Sequence, residues 1–197
     1  MKILLAVPTF EHIQNEVFQA IYDMDKCGHE VDFRFVTGHD CAKARNIIAD
    51  IAIGGGYDYV LMIDSDTIIP KDALKNLLDP PSDIVLGICP RKNTTKKETP
   101  LCPITCPDLS ESLTYDYLDG LKENRIEVKV GGFACALVKT KVFEDMMYPY
   151  FDYKTYGDRS MLSEDYYFCV MAQNCEFKIW ADTRVRCGHL ARYYQYE

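Results

Sequence analysis

No run of about 20 apolar residues occurs in the 197-residue sequence, so no segment has the character of a membrane-spanning helix. Basic charge is also short. Lys and Arg number 22 against 30 Asp and Glu, a formal net charge of −8, and no long basic stripe is present. That balance argues against a protein that grips a nucleic-acid backbone. A nucleotide ligand remains compatible with it, because a bound divalent cation offsets local negative charge. The opening MKILLAVPTF carries one lysine and a very short apolar run, without the longer apolar region and small-residue cleavage site of a secretory signal. Internal repeats and low-complexity segments are lacking.

Cysteine, by contrast, is plentiful and odd in number, at nine. The cysteines are scattered, and Cys135 and Cys169 fall inside apolar segments, where a free thiol behaves as a small buried hydrophobe. With no secretory signal they are read as reduced, and the expected location is the cytoplasm. The rest of the composition is that of a globular chain: 48% hydrophobic, 26% charged and 12% aromatic. The length suits one domain, 1–197, which can bury roughly 70% of the surface its unfolded chain exposes.

Periodicity predicts alternating strands and helices. Residues 3–7 are an apolar run ending at Pro8-Thr9, and 13–24 repeat apolar residues at helical spacing before Gly28. Strands are expected at 31–36, 59–63 and 84–88, with helices at 42–53 and 70–78 between them. Such alternation implies crossover connections and a mainly parallel sheet flanked by helices. Ligands then collect beyond the carboxyl ends of the strands. Residues 90–125 break the pattern with several prolines and read as a long excursion. Regular structure returns at 127–130 and 134–139 (strands), 140–147 and 163–174 (helices) and 177–180 (strand), with Cys187-Gly188-His189 closing the core.

Asp64-Ser65-Asp66 is the sharpest chemical feature, because it directly follows the apolar strand at 59–63. Two carboxylates one residue apart in such a loop can aim at one hard cation, which takes one or two of these oxygens and fills its other positions with phosphate and water. The same residues also suit a turn or a helix cap. Arg45 can contact a nucleotide phosphate, pair with Asp50 or Asp64, or sit on a solvated helix face. Gly54-Gly55-Gly56 precedes a strand and so is no dinucleotide fingerprint. Cys102 and Cys106, with Cys89, lack the paired spacing of a zinc site.

Read together, these segments resemble the GT-A (nucleotide-diphospho-sugar transferase) glycosyltransferases, especially the family-2-like group. The resemblance rests on Ala44-Arg45-Asn46 before a strand ending in Asp64-Ser65-Asp66, on the opening Val7-Pro8-Thr9, on Gly131-Gly132-Phe133, and on Ser163-Glu164-Asp165 at a helix start. It implies a donor half over 1–90 and an acceptor and catalytic half over 91–197. Pro8, Thr9, Glu11, Arg45, Asp64, Ser65 and Asp66 would then line the nucleotide-sugar site. Asp66 would ligate Mn²⁺ or Mg²⁺, Asp64 would reach the ribose or a water on the cation, and His189 would complete the coordination. Asp165, with Glu164 beside it, would take the proton of the acceptor hydroxyl in an inverting reaction. Helix-terminal acids behind a Ser cap are equally what the helix dipole favours, and His189 can also serve as a hydrogen-bonded surface histidine.

The resemblance implies a compact enzyme, or one domain of a larger one, that transfers a hexose or deoxyhexose from a UDP-sugar to the hydroxyl of a carbohydrate or other acceptor. Tyr150, Tyr153 and Tyr156 are candidates for stacking on acceptor sugar rings, and Arg192, Tyr193 and Tyr194 for closing over the diphosphate. His12, His29 and His39 are read as structural. Two other classes compete. A nucleotidyltransferase needs a Gly-rich basic loop after the first strand, where this chain has Pro8-Thr9-Phe10-Glu11. A non-catalytic carbohydrate- or partner-binding domain needs none of Asp64, Asp66, Asp165 and His189.

Overall fold

The computed structural model describes residues 1–90, 122–157 and 160–190, together with the backbone of 104–105. The first part of the chain gives β1 (Lys2–Thr9), α1 (Asn15–Asp23), β2 (Glu30–Thr37), α2 (Cys41–Gly54), β3 (Tyr59–Ile63), β4 (Thr67–Ile68), α3 (Ala73–Leu78) and β5 (Ile84–Ile88). Then come β6 (Ile104–Thr105), β7 (Arg125–Val128), β8 (Val130–Gly131), β9 (Cys135–Lys139) and α4 (Thr140–Asp145). The chain continues through β10 (Lys154–Thr155), β11 (Met161–Leu162), α5 (Glu164–Asn174), β12 (Ile179–Arg186) and β13 (Gly188–His189). No described helix is long and apolar enough to cross a membrane.

Seven strands form one sheet in the order β2-β1-β3-β9-β5-β12-β7. Strands from both halves of the sequence therefore share it. β1 pairs in parallel with β2 and β3, and β5 with β12. β9 runs antiparallel between β3 and β5, and β7 antiparallel on the outside of β12. The sheet is thus mixed. Five strands share the direction expected from the alternation, and β9 and β7 oppose it.

The period-2 alternation of each strand sorts its side chains into two cores. Leu4, Ala6, Val60 and Met62 face α2, α4 and α5 with Val142, Phe143 and Phe168. Ile3, Leu5, Val7, Leu61 and Ile63 face α1 and α3 with Val17, Ile21, Leu74 and Leu77. Helices on both faces of a sheet buried on both sides explain the unbroken apolar runs of β1, β3 and β5. Each such Leu, Ile, Val or Phe contributes about 1.5–3 kcal/mol by burial.

Several boundaries shift from the sequence expectation. α2 starts where Asp40 caps it, its carboxylate accepting from Lys43 N at 3.0 Å. α3 begins at Ala73 and not at Pro70, whose carbonyl accepts from Ala73 N in a preceding turn. β12 continues six residues beyond Trp180, to Arg186. The fully buried Asp182 stays in that strand because Arg125 Nε donates to it at 3.0 Å and Arg184 Nε at 2.9 Å.

Candidate functional site

β1, β3, β5 and β12 deliver their carboxyl ends to one edge of the sheet, so Thr9, Asp64, Cys89 and Cys187 emerge together there. β9 runs the other way and begins at this edge, with Cys135 opposite Ile63, and Asp64 N donates to Ala134 O at 3.0 Å. Gly38, at φ +76°, turns its N–H back to the carbonyls of Thr9 and Phe10 and so ties the loop after β1 to the end of β2. The starts of α2 and α5 complete the edge.

Arg45 is the centre of this cluster. Its side chain is only 2% exposed. Nη2 donates to Asp64 Oδ1 at 2.8 Å, and Nη1 pairs with Glu164 Oε1. The guanidinium carbon lies 5.7 Å from the ring centre of Phe133 and 6.0 Å from that of Phe151, which adds a cation–π contribution. Burial works against the charge, but the two carboxylates outweigh it and raise Arg45 above its ordinary value. Burial raises Asp64 against the pull of Arg45, and neighbouring Asp66 adds to the rise. Glu164 is raised by burial in the same way. Arg45 Nε is buried without a hydrogen-bond partner among the described residues. Arg45 therefore stands on no solvated face. Of the roles open to it in the sequence, the structure supplies the pairing with Asp64 and adds Glu164.

The second cluster joins Asp66 to His189. β13 pairs with β4, setting His189 opposite Thr67, and Leu190 N donates to Asp66 O at 2.9 Å. His189 Nε2 then lies 3.5 Å from Asp66 Oδ1. Its Nδ1 is 2.6 Å from the Pro90 carbonyl. A carbonyl only accepts, so Nδ1 must carry the proton, and the ring's other nitrogen is the one turned to Asp66. The hydrogen bond to Asp66, followed by one to Cys89, pushes His189 up to about 10.

Among the described residues no group of three or more His, Cys, Asp and Glu side chains is arranged to hold a metal ion. Asp66 and His189 are brought together, whereas Asp64 faces Arg45. Two protein ligands still fit a hard divalent cation, which fills its remaining positions with phosphate and water. The carbonyl of Pro90 fixes the ring through Nδ1, so Nε2 is the nitrogen that would ligate, and a cation bound there would displace the proton that Asp66 otherwise holds on it.

The remaining expected residues are distributed as follows. Pro8 is buried within β1 opposite Val36. Thr9 Oγ1 donates to His12 O at 2.7 Å and so holds the loop. Thr9 and Glu11 line a cleft of about 250 Å³ at the ends of β1 and β2, together with His12 and Phe35. Ser65 is half-buried between the two aspartates. At the start of α5, Ser163 does not cap the helix; its hydroxyl donates to Asp165 Oδ1, which also accepts from Tyr166 N at 2.8 Å. Tyr150 is buried and its ring packs on Phe143, so it is unavailable for stacking on a ligand, whereas Tyr153 and Tyr156 are exposed. Arg192, Tyr193, Tyr194, Cys102 and Cys106 lie outside the described residues. The seven described cysteines carry free thiols.

Three participants had no role assigned to them from the sequence. Cys41 lies one helical turn before Arg45 at a solvent-accessible position, where partial desolvation foremost, with Asp64, Glu164 and Asp40 nearby, pushes its thiol up to about 11. Asn46 accepts from Tyr150 N at 2.9 Å and Phe151 N at 3.1 Å and donates to Phe151 O at 2.7 Å. Pro90 fixes His189 through its backbone, which no side-chain pattern announces. For Asn46 the available signal was a polar residue on a buried helix face.

No family model matches this chain, and no curated protein matches it by sequence. Solved structures do share its fold. The protein A197 from STIV superposes with a TM-score of 0.63 at 16% identity, over 98% of this chain and 87% of that one. GalNAc-T7, solved with UDP, GalNAc and Mn²⁺, superposes with a TM-score of 0.66 at 11% identity. That match covers 98% of this chain but only 43% of GalNAc-T7. GalNAc-T7 is a glycosyltransferase of the GT-A fold, and this chain has a GT-A-like fold.

Proposed function

We propose that this protein is a metal-dependent glycosyltransferase that moves a sugar from a nucleoside-diphosphate donor, UDP-linked by first choice, to an acceptor hydroxyl with inversion. The observation that carries this reading is the Asp66–His189 pair, held at the carboxyl edge of the sheet with the imidazole oriented by Pro90. The GT-A-like fold supports it, as does the UDP and Mn²⁺ found with GalNAc-T7.

Asp66 and His189 would hold the Mn²⁺ or Mg²⁺, and the cation would supply charge stabilisation to the departing diphosphate. Arg45 neutralises Asp64 and Glu164 and fixes the donor loop to the start of α5, which sets the distance between leaving group and base. Glu164 is committed to Arg45, so the proton of the attacking hydroxyl goes to Asp165. Its Oδ1 is occupied by Ser163 and Tyr166, which leaves Oδ2 to accept it. The loop after β1, with Thr9 and Glu11, forms one wall of the nucleotide cleft.

Turnover of UDP-sugars with Mn²⁺ tests the assignment. Asp165→Asn is expected to lower kcat by about 10²–10⁴ with donor affinity retained, the usual contribution of a general base. Glu164→Gln is expected to disturb donor binding as well, because it weakens the Arg45 link. Full activity in Asp165→Asn would remove Asp165 from the mechanism.

A further inference from the structure

A second concavity adjoins the Arg45 cluster. It is an open groove of about 430 Å³ between the start of α2 and the loop 148–153, lined by Asp40, Lys43, Tyr148, Phe151, Asp152 and Tyr153. Phe151 belongs to both: it lines the groove, and its ring centre lies 6.0 Å from the Arg45 guanidinium carbon. Tyr153 lies within the electrostatic reach of Glu164, Cys41 and Asp40. Partial desolvation and these groups raise the phenol, which keeps its O–H as a donor.

The loop is unusual in what it exposes. Tyr150 and Phe151 are 8% and 1% exposed, whereas Tyr148 and Tyr153 are 65% and 44% exposed. Asn46 pins the backbone between these tyrosines with three hydrogen bonds, so the two rings are presented by a fixed frame. Tyrosine offers a rigid amphipathic face at low entropic cost, and a preorganised frame lowers the cost of binding further. Asp40 and Asp152 each spend one oxygen on a backbone N–H, those of Lys43 and Tyr153, which leaves a second oxygen as acceptor. Lys43 adds donors.

We propose that this groove is the acceptor subsite and that it takes a pyranose ring of a saccharide acceptor. Exposed aromatic faces flanked by carboxylates and an ammonium match a ring with apolar C–H faces and a rim of hydroxyls. A peptide or lipid would call for an apolar trough or a strand edge, and this groove supplies neither. Its volume falls in the range of small-ligand sites. The proposal rests on the transferase reading, since it supplies that reaction's second substrate, and Tyr153 lies within the electrostatic reach of Glu164.

Saturation-transfer NMR on the full chain with methyl gluco-, galacto-, manno- and N-acetylglucopyranosides, without donor or metal, tests the groove alone. At least one pyranoside is expected to bind, about tenfold more weakly in Tyr153→Ala, as for truncation of an anchoring aromatic. Binding is expected to be unchanged in Tyr22→Ala on the exposed side of α1. Thermal melts establish that each variant is folded. If none of the four binds, or if Tyr153→Ala binds as wild type does, the groove is not the sugar site. UDP with Mn²⁺, measured separately, decides the transferase reading, so the two can fail independently.

Discussion

Arg45 on α2 and Glu164 at the start of α5, 119 positions apart in sequence, meet as a buried ion pair, and the same guanidinium holds Asp64 at 2.8 Å. One residue therefore connects the loop after β3 to the helix that carries the proposed base. Removing it would leave two partly buried carboxylates without their counter-charge. Arg45→Met is expected to cost about 3–5 kcal/mol, the range for breaking a buried pair from one side. Arg45→Lys is expected to recover only part of that, because an ammonium cannot span two carboxylates as a planar fork does. Urea denaturation of both variants checks this, and a loss within 0.5 kcal/mol, an ordinary surface effect, would contradict the bridging role.

Asn46 offers a second test. Its three hydrogen bonds satisfy the backbone of Tyr150 and Phe151 in the interior. Asn46→Ala would leave these groups unpaired, and a loss of about 2–4 kcal/mol is expected from the cost of buried unsatisfied groups. The frame of the tyrosine groove should loosen with it. Equilibrium unfolding measures the first effect, and hydrogen exchange at the amides of Tyr150 and Phe151 measures the second.

The strand that leads to Asp64-Ser65-Asp66 was legible because it depends on local pattern. Five apolar residues ending in Asp64-Ser65-Asp66 can only be a buried strand that delivers its acids to an edge, and the structure bears out that strand as Tyr59–Ile63. The nearness of His189 to Asp66 followed from the resemblance and not from pattern. Its physical basis is the two-residue ladder between β4 and β13, too short to leave a periodic signature. Strand direction was illegible, since the apolar run of β9 reads the same either way and its polarity is decided by pairing with β3 and β5. The end of β12 was missed because Asp182 and Arg184 look like a loop until Arg125, 57 positions away, is seen to pair with that aspartate. The Arg45–Glu164 pair belongs to the same category of long-range information.

The thiol of Cys41 makes a pH prediction. The thiol is solvent-accessible, yet it is pushed up from 9.0 to about 11, by partial desolvation first and by the Asp64, Glu164 and Asp40 carboxylates against the pull of Arg45. A raised thiol remains protonated, so at pH 8 only about one Cys41 in a thousand is thiolate. Alkylation by iodoacetamide should therefore be slow at pH 8 and accelerate about tenfold per pH unit up to the vicinity of 11. Peptide mapping of labelled protein across this range checks it. Rapid labelling of Cys41 at pH 7 would mean that its thiol is not raised by its surroundings.

Asp66 and His189 are proposed to hold a cation for a nucleoside diphosphate. Thermal unfolding with Mn²⁺ plus UDP, GDP or CDP in turn, on wild type and on Asp66→Ala, tests it most directly. At a hundred times its dissociation constant a ligand adds about 2.7 kcal/mol, or roughly 5–10 °C for a chain of this size. The expected result is a rise that requires both Mn²⁺ and one diphosphate, largest with UDP, and that vanishes in Asp66→Ala. No rise with any diphosphate in the presence of Mn²⁺, or an equal rise in Asp66→Ala, would contradict it.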